Sequence, residues 1–364
     1  MLRERRKTAG CLTAFRRTGR GGIQRDRGKL WRDKENGQHQ GDIGLCIIAG
    51  MGLFLVTGGA GFIGSHLAEH LLKAGHRVRI LDNLSTGRRQ NLAHLSKKVE
   101  FLLGDIRRQT DLGTATKGTD GVFHLAAIAF VQRSIRYPLL THEVNTTGTL
   151  RLLQAARRTG VARVVVVSTA AVYGDAPLLP VQEDSLPAPL SPYGTSKAAA
   201  EEYALMFSRL GWLQTVVIRP FNIYGPRQDP GSPYSGVISR FVESAVRGRD
   251  PALYGDGSQT RDFLFVADLC RALAQAMEED KAEGQILNVA GGRETSIATL
   301  GEVIFRLQGR AFAPSIHPAR SGDIRHSLAS IAKAETILGW RPQTPLEQGL
   351  RQTLHWMRRE EEGE

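Results

Sequence analysis

The chain has 364 residues, 41% hydrophobic and 23% charged, a balance that excludes a disordered chain and allows one large domain or two. No stretch reaches the roughly 18–20 apolar residues of a spanning helix, and the longest candidate, residues 45–56, is broken by Gly50 and Gly52, which excludes a transmembrane protein. The three cysteines, Cys11, Cys46 and Cys270, are too scattered for a disulfide framework or a zinc site, and the net charge of +12 is concentrated at the start of the chain.

Residues 1–50 hold 12 Lys and Arg against 5 Asp and Glu and show no sustained periodicity, so they read as a disordered basic extension. The segment has no secretory apolar core, and its acids argue against a transit peptide, so a cytoplasmic protein is expected. Its scattered arginines would suit a nucleic-acid arm. The plainer reading is an upstream extension of the reading frame, with Met51 the working start.

From Gly52 the texture changes. The run at 53–57 (LFLVT) is short, apolar and bounded by glycine, as a buried strand should be. A helix follows over 62–74, with Phe62, Leu67, Leu71 and Leu72 near one face and Gly75 at the stop. Strands are expected at 78–81, 99–103 and 121–127, then a long helix over about 138–158. Val164, Val165, Val166 and Val167 form a β-branched run that wants burial on both faces, and Val216, Val217 and Ile218 repeat the signal. Strands alternating with helices imply right-handed βαβ units: an α/β, Rossmann-type, doubly wound parallel sheet. After about Ile223 a Pro/Gly-rich loop leads to smaller elements: helices near 236–246 and 266–277, and strands near 252–254 and 286–289. Residues 51–222 form the first domain, rejoined by about 263–289. Residues 223–262 and 290–358 form a smaller, discontinuous α/β lobe.

Between the first strand and first helix lies TGGAGFIG (57–64), in which Gly58, Gly61 and Gly64 have the spacing G-x-x-G-x-x-G. Such a loop turns sharply, lets backbone approach a pyrophosphate, and points a helix N-terminus at the anion. Asp82 ends the second strand 24 residues beyond Gly58, where a carboxylate accepts both ribose hydroxyls and repels a 2′-phosphate. That favours NAD over NADP. Arg88 and Arg89 argue the other way, because either could hold the phosphate.

Tyr193 and Lys197 are four residues apart, behind a Ser191 N-cap and a Pro192 first residue, so they share a helical face. A phenol is a poor base at neutral pH; a nearby ammonium favours its phenolate, which can take a hydroxyl proton while hydride leaves the same carbon. Ser168 and Thr169 end the valine run at the carboxyl edge of a parallel strand, where ligands bind in open α/β sheets. A hydroxyl there can bond the reacting oxygen and relay its proton to Tyr193. Taken singly, each feature has a plain structural explanation: a turn residue, an exposed helical pair, a satisfied strand-end hydroxyl.

Together these residues resemble the extended short-chain dehydrogenase/reductase family, specifically its NAD-dependent nucleotide-sugar epimerases. The ordered motifs are TGGAGFIG (57–64), LDNLSTG (81–87), GDI (104–106), HLAA (124–127), VNTTGT (144–149), STAAVYG (168–174), YGTSK (193–197), RPFNIYGPRQ (219–228), QTRDFLFV (259–266) and RSGDIRHS (320–327). The resemblance implies that 51–222 binds NAD and that the smaller lobe binds a nucleotide-sugar. It makes Thr169, Tyr193 and Lys197 the catalytic hydroxyl, base and lysine. It assigns the cofactor to Gly58, Gly61, Phe62, Ile63, Gly64, Asp82 and Asn83, with Asp105 and Ile106 at the adenine. Leu125, Ala126 and Ala127 would line the strand edge, Asn145 would support the cofactor-side helix, and Pro220 and Phe221 would lie by the nicotinamide. Asn222 would meet the substrate phosphates, Tyr254 the uracil, and Arg261, Arg320 and Asp323 the pyrophosphate and ribose. His124 would be structural, and no metal is expected.

Within that family, dehydratases and decarboxylases carry an acid after the catalytic hydroxyl, whereas Ala170 and Ala171 stand here. The implied reaction is therefore 4-epimerisation of a UDP-sugar. Ser327 stands where hexose-restricted members carry tyrosine, which implies room for a 2-acetamido group. UDP-glucuronate stays open, because Arg325 or Arg227 could meet a carboxylate. A reductase, a dehydratase and a non-catalytic nucleotide- or nucleic-acid-binding protein are the remaining alternatives, the last disfavoured by the complete Thr169, Tyr193 and Lys197 set. The resemblance also implies a homodimer, through the helices at about 138–158 and 192–210, and no membrane or nucleic-acid partner.

Overall fold

The computed structural model describes residues 51–229, 236–319 and 324–362. The expectations for 1–50, and for Arg320 and Asp323, lie outside the described residues.

Seven parallel strands form the central sheet: β1 (Leu53–Thr57), β2 (Arg77–Asp82), β3 (Val99–Leu103), β4 (Gly121–His124), β5 (Arg163–Val167), β6 (Gln214–Pro220) and β7 (Ile286–Val289). Their order is β7-β6-β5-β4-β1-β2-β3. The chain runs outward from β1 to β3, then returns to β4 on the other side of β1. The carboxyl ends of β1 and β4 therefore flank a topological switch point, the usual ligand crevice of such sheets. Register sets those ends level, with Thr57 opposite Leu81 on one side and His124 on the other.

Side-chain alternation explains the unbroken apolar strands. Phe54, Val56, Val165, Val167, Val216 and Ile218 face one apolar cluster, and Leu55, Val122, Val164, Val166 and Val217 face the other. Helices α1 (Phe62–Lys73) and α8 (Val266–Glu278) cover the first face; α2 (Gln109–Thr116), α5 (Gly148–Thr159) and α6 (Pro192–Arg209) cover the second. The first cluster continues without a break into α7 (Val237–Val246), α9 (Ile297–Arg306), α10 (Ala332–Leu338) and α11 (Leu346–Glu362). The residues expected as a second lobe thus share one core with the sheet. Short strand pairs join Thr260–Asp262 to Glu294–Ser296 and Ala252–Tyr254 to Ser315–His317. No helix among the described residues is long and apolar enough to cross a membrane.

Two elements differ from the sequence expectation. β4 stops at His124, so residues 125–127 leave the ladder and turn over the sheet edge. The helix expected over 138–158 is interrupted: α3 (Val131–Arg136) and α4 (Pro138–His142) precede a π turn, Glu143–Thr147, before α5 begins. The cause is tertiary. The Asn145 side chain accepts from Ile128 N (2.8 Å) and donates to Ile128 O (3.0 Å) and to the Ser196 hydroxyl (3.0 Å), while Thr146 donates to Ser196 O (3.0 Å). Those bonds fix the turn against α6 and widen the helix locally.

Candidate active site

A cavity of about 1860 Å³ opens over the switch point. It exceeds the about 300–1,000 Å³ of an ordinary small-molecule pocket. Its floor is the glycine loop. Gly58 has φ +70°, and a Cβ there would sit 2.8 Å from Ala126 N; a Cβ on Gly64 would sit 2.3 Å from Gly58 O. Only glycine lets α1 close on β1 in this way. Gly61 caps α1 without a side-chain bond, and no acid occupies the first turn, so those N–H groups face the cavity available to an anion.

Asp82 is buried at the end of β2. Its carboxylate accepts from Ala60 N (2.9 Å) and Leu84 N (2.8 Å), and burial raises its pKa against those two bonds. The two arginines that argued for a 2′-phosphate are engaged elsewhere. Arg88 pairs with Asp229 at 2.5 Å, and the Arg89 guanidinium lies 4.6 Å over the Phe101 ring. Asp105 is gripped by Arg107 (2.7 and 3.1 Å) and by Asn83 (3.1 Å); the Arg107 bonds hold its carboxyl down at about 2.

The reactive groups stand on two elements. Ser191 caps α6 by accepting from Gly194 N (3.1 Å), and Pro192 opens its first turn. Tyr193 N donates to the Ser134 hydroxyl (3.1 Å), which pins α3 to the start of α6. Thr169, just past β5, accepts from Ala171 N (3.1 Å), and it lines the same cavity as the Tyr193 phenol. Burial raises the phenol pKa and the nearby Thr169 hydroxyl opposes the rise. Lys197 lies one turn on, 3% exposed; burial pushes its ammonium down to about 8, opposed by Glu201.

His124 lies in the floor behind Lys197. Thr149 donates to Asn145 O (2.5 Å), so it accepts from His124 Nε2 (2.9 Å), and Thr57 donates to Nδ1 (2.8 Å). Both ring nitrogens are used, and the tautomer follows from the donors. Burial and Lys197 hold this imidazole neutral, with a pKa of about 3.

The cavity brings together Gly58, Gly61, Phe62, Ile63, Gly64, Asp82, Asn83, Asp105, Ile106, Leu125, Ala126, Ala127, Thr169, Tyr193, Lys197, Pro220 and Asn222. Other candidates stand apart from its lining. Asn145 is the tether of the π turn. The Phe221 ring packs in the core, 6.1 Å from the Tyr173 ring. Tyr254 stacks on His317 at 5.3 Å, Arg261 donates to Thr260 O (2.8 Å), and Ser327 is half-buried beside Leu328, whose carbonyl accepts from Val181 N. Among the lining residues not singled out from the sequence are Phe130 and Arg133, whose guanidinium has no hydrogen-bond or ionic partner among the described residues. Their i, i+3 spacing at the start of α3 is a usable signal, but it needs the cavity to give it meaning.

The family model for the "NAD dependent epimerase/dehydratase family" matches residues 54–290. The chain belongs to that family. It is 42% identical over 308 residues to the UDP-glucose 4-epimerase of Mycolicibacterium smegmatis, covering 84% of this chain and 98% of that one. Among solved structures, the UDP-N-acetylglucosamine 4-epimerase of Methanobrevibacter ruminantium, in complex with UDP-N-acetylmuramic acid, is 36% identical with a TM-score of 0.80, over 84% of this chain and 98% of that one. The UDP-glucose 4-epimerase of Thermus thermophilus, in complex with NAD, is 38% identical with a TM-score of 0.77, over 84% and 99%. Decarboxylases and dehydratases are also among the relatives. NAD is the cofactor of this family member, and the glycine cradle, Asp82 and the engaged Arg88 and Arg89 fit it.

Proposed function

We propose that the protein interconverts UDP-sugars epimeric at C4, through a transient 4-keto sugar. The observation that carries this is the convergence of Thr169, Tyr193 and Lys197 on the glycine-loop cavity, together with Ala170 and Ala171 where a dehydration acid would stand. Bound NAD supplies reversible oxidation at the sugar carbinol. Tyr193 takes the proton from the sugar hydroxyl and returns it to the other epimer; Thr169 holds that oxygen; Lys197 favours the phenolate. A dehydratase would also need a donor and base at the neighbouring carbons, which two methyl side chains do not offer. Mixing the protein with UDP-galactose tests this: UDP-glucose forms without net NADH. Accumulating NADH or a dehydrated product would defeat it.

The smaller lobe is proposed to hold the nucleotide, with Asn222 and Arg261 toward the phosphates, joined by Arg320 and Asp323, and Tyr254 toward the base. Firm nucleotide contacts and loose sugar contacts let the ketone turn over between the two half-reactions. Ser327 supports acceptance of 2-acetamido sugars, so Ser327→Tyr should remove activity on UDP-N-acetylglucosamine and spare UDP-glucose. Unchanged acetamido activity would defeat that part. A homodimer through α4, α5 and α6 is the assembly proposed, checked by light scattering.

One observation favours a second reading, an acidic sugar. Arg227 is taken by Glu69 (2.6 Å) and His66 (2.9 Å), but Arg133 lines the cavity without a partner among the described residues. If UDP-glucuronate is the substrate, Arg133→Leu should cut its kcat/KM by 10-fold or more, as expected for losing a charge-assisted bond worth about 1.5–3 kcal/mol, and leave UDP-glucose unaffected.

A further inference from the structure

Glu201 lies one turn beyond Lys197 on α6 and is 2% exposed. Its carboxylate accepts from Arg219 through Nε (3.0 Å) and Nη2 (2.6 Å), and from the Ser168 hydroxyl. Ser168 is the residue before Thr169. Arg219 is held from its other side, with its guanidinium 4.6 Å over the Tyr173 ring, and Tyr173 donates to Asn288 Oδ1 (2.7 Å). This chain runs behind the cavity and reaches it only at Ser168; Glu201, Arg219, Tyr173 and Asn288 are absent from the lining. A buried ion pair is costly to desolvate, and apolar residues of the same volume would pack α6 on β6 as well or better. The arrangement calls for a reason other than stability.

We propose that Glu201 is a positioning residue for the reaction: it fixes the strand end that carries Thr169 and supplies the negative charge that keeps Lys197 protonated. Lys197 has Tyr193 and Glu201 one turn to either side on α6, and its charge is felt by His124 on β4; Arg219 on β6 pairs with Glu201, and Glu183 is occupied with Asn288 N (2.8 Å). His124 is neutral, with both nitrogens bonded, and Arg219 is cationic. Glu201 is therefore the anion that opposes the burial of the ammonium. Without it the ammonium is lost at lower pH, and the phenolate loses its stabilising neighbour.

The inference rests on the Tyr193 and Lys197 chemistry proposed above, and it is tested without sugar. The phenolate absorbance of Tyr193, taken as wild type minus Tyr193→Phe, is titrated with pH in cofactor-free protein. Glu201→Gln alone strands Arg219, so the deciding variant is Glu201→Gln with Arg219→Met, which removes both charges. Compared with Arg219→Met alone, which keeps the Glu201 charge, the double variant's phenolate midpoint should rise by about one unit, and the alkaline limb of kcat should fall to lower pH with KM unchanged, as expected when an opposite charge is withdrawn from a nearby cation. Ser168→Ala keeps the ion pair and should lower kcat several-fold without moving the midpoint. If the double variant titrates like Arg219→Met alone, Glu201 serves only to satisfy Arg219 and the proposal fails. If the midpoint moves but no UDP-sugar is converted, the proposed reaction is wrong and the role of Glu201 stands.

Discussion

At the residue scale the proposed chemistry rests on two hydroxyls that line one cavity, those of Thr169 and Tyr193. Removing one oxygen should be enough to stop the chemistry: Tyr193→Phe is expected to lower kcat by about 10²–10⁴-fold, with NAD binding, read by fluorescence quenching, unchanged. A separate cluster reports on acid. Arg227 and Lys73 bonds hold the Glu69 carboxyl at about 2, and burial with the Arg227 charge holds His66 at about 4. Both folded values lie below the unfolded ones, so the unfolded chain binds protons first. Stability from His66 is full above about 6.5 and drains away as pH falls toward 4; that from Glu69 is full above about 4.5 and drains toward 2. The denaturant midpoint should therefore decline steadily below pH 6.5, and Glu69→Gln should flatten the decline below pH 4.5. The glycine loop, Asp82, Tyr193 and Lys197, which line one cavity, could be singled out from the sequence because their signal is local, carried by spacing within one turn or one strand end. Glu201 was not, although an acid one turn beyond the lysine within a run of alanines was visible. Its partners, Arg219 and Ser168, come from two other strands.

At the element scale, α6 carries the reactive phenol and ammonium, and its start is fixed by the Ser191 cap. Ser191→Ala should cost about 1 kcal/mol by chemical denaturation and disturb Tyr193 more than Lys197, because fraying begins at the first turn. Gly64 is the stricter position: a methyl group 2.3 Å from Gly58 O cannot be absorbed by a side-chain shift. Gly64→Ala should abolish NAD binding, seen as loss of the cofactor-induced rise in Tm. Strands were legible as β-branched runs because both faces are buried. The π turn at Glu143–Thr147 was illegible because Asn145 and Thr146 create it through bonds to Ile128 and Ser196, not through local propensity. The early stop of β4 has a like cause, since Leu125 N bonds Thr57 O and Ala126 N reaches the Thr57 hydroxyl at 3.3 Å.

At the scale of the whole described molecule, one apolar cluster runs from the sheet through α8 into α7, α9, α10 and α11. Calorimetry should give a single unfolding transition, raised by NAD through mass action, about 2.7 kcal/mol at a hundredfold excess over Kd. Two resolved transitions would mean that the cluster does not transmit cooperativity. The parallel sheet was evident from strand–helix alternation, and the change of texture near Ile223 marked the smaller elements. Their shared core was not evident, because periodicity reveals which side of a helix is apolar and not what it rests on.

The cluster around Glu69 has one more effect. Arg227 reaches from the loop after β6 to Glu69 and His66 on α1, His66 bonds Pro226 O at 2.8 Å, and Arg88 meets Asp229 across the same rim. These links join α1 and the segment after β2 to the loop after β6 along the rim of the cavity above the glycine cradle. Arg227→Ala, which cuts two of them, should speed release of a dinucleotide seated below, read by stopped-flow displacement. Slow release would suit the epimerisation proposed above, in which the same oxidant is consumed and restored within each turnover.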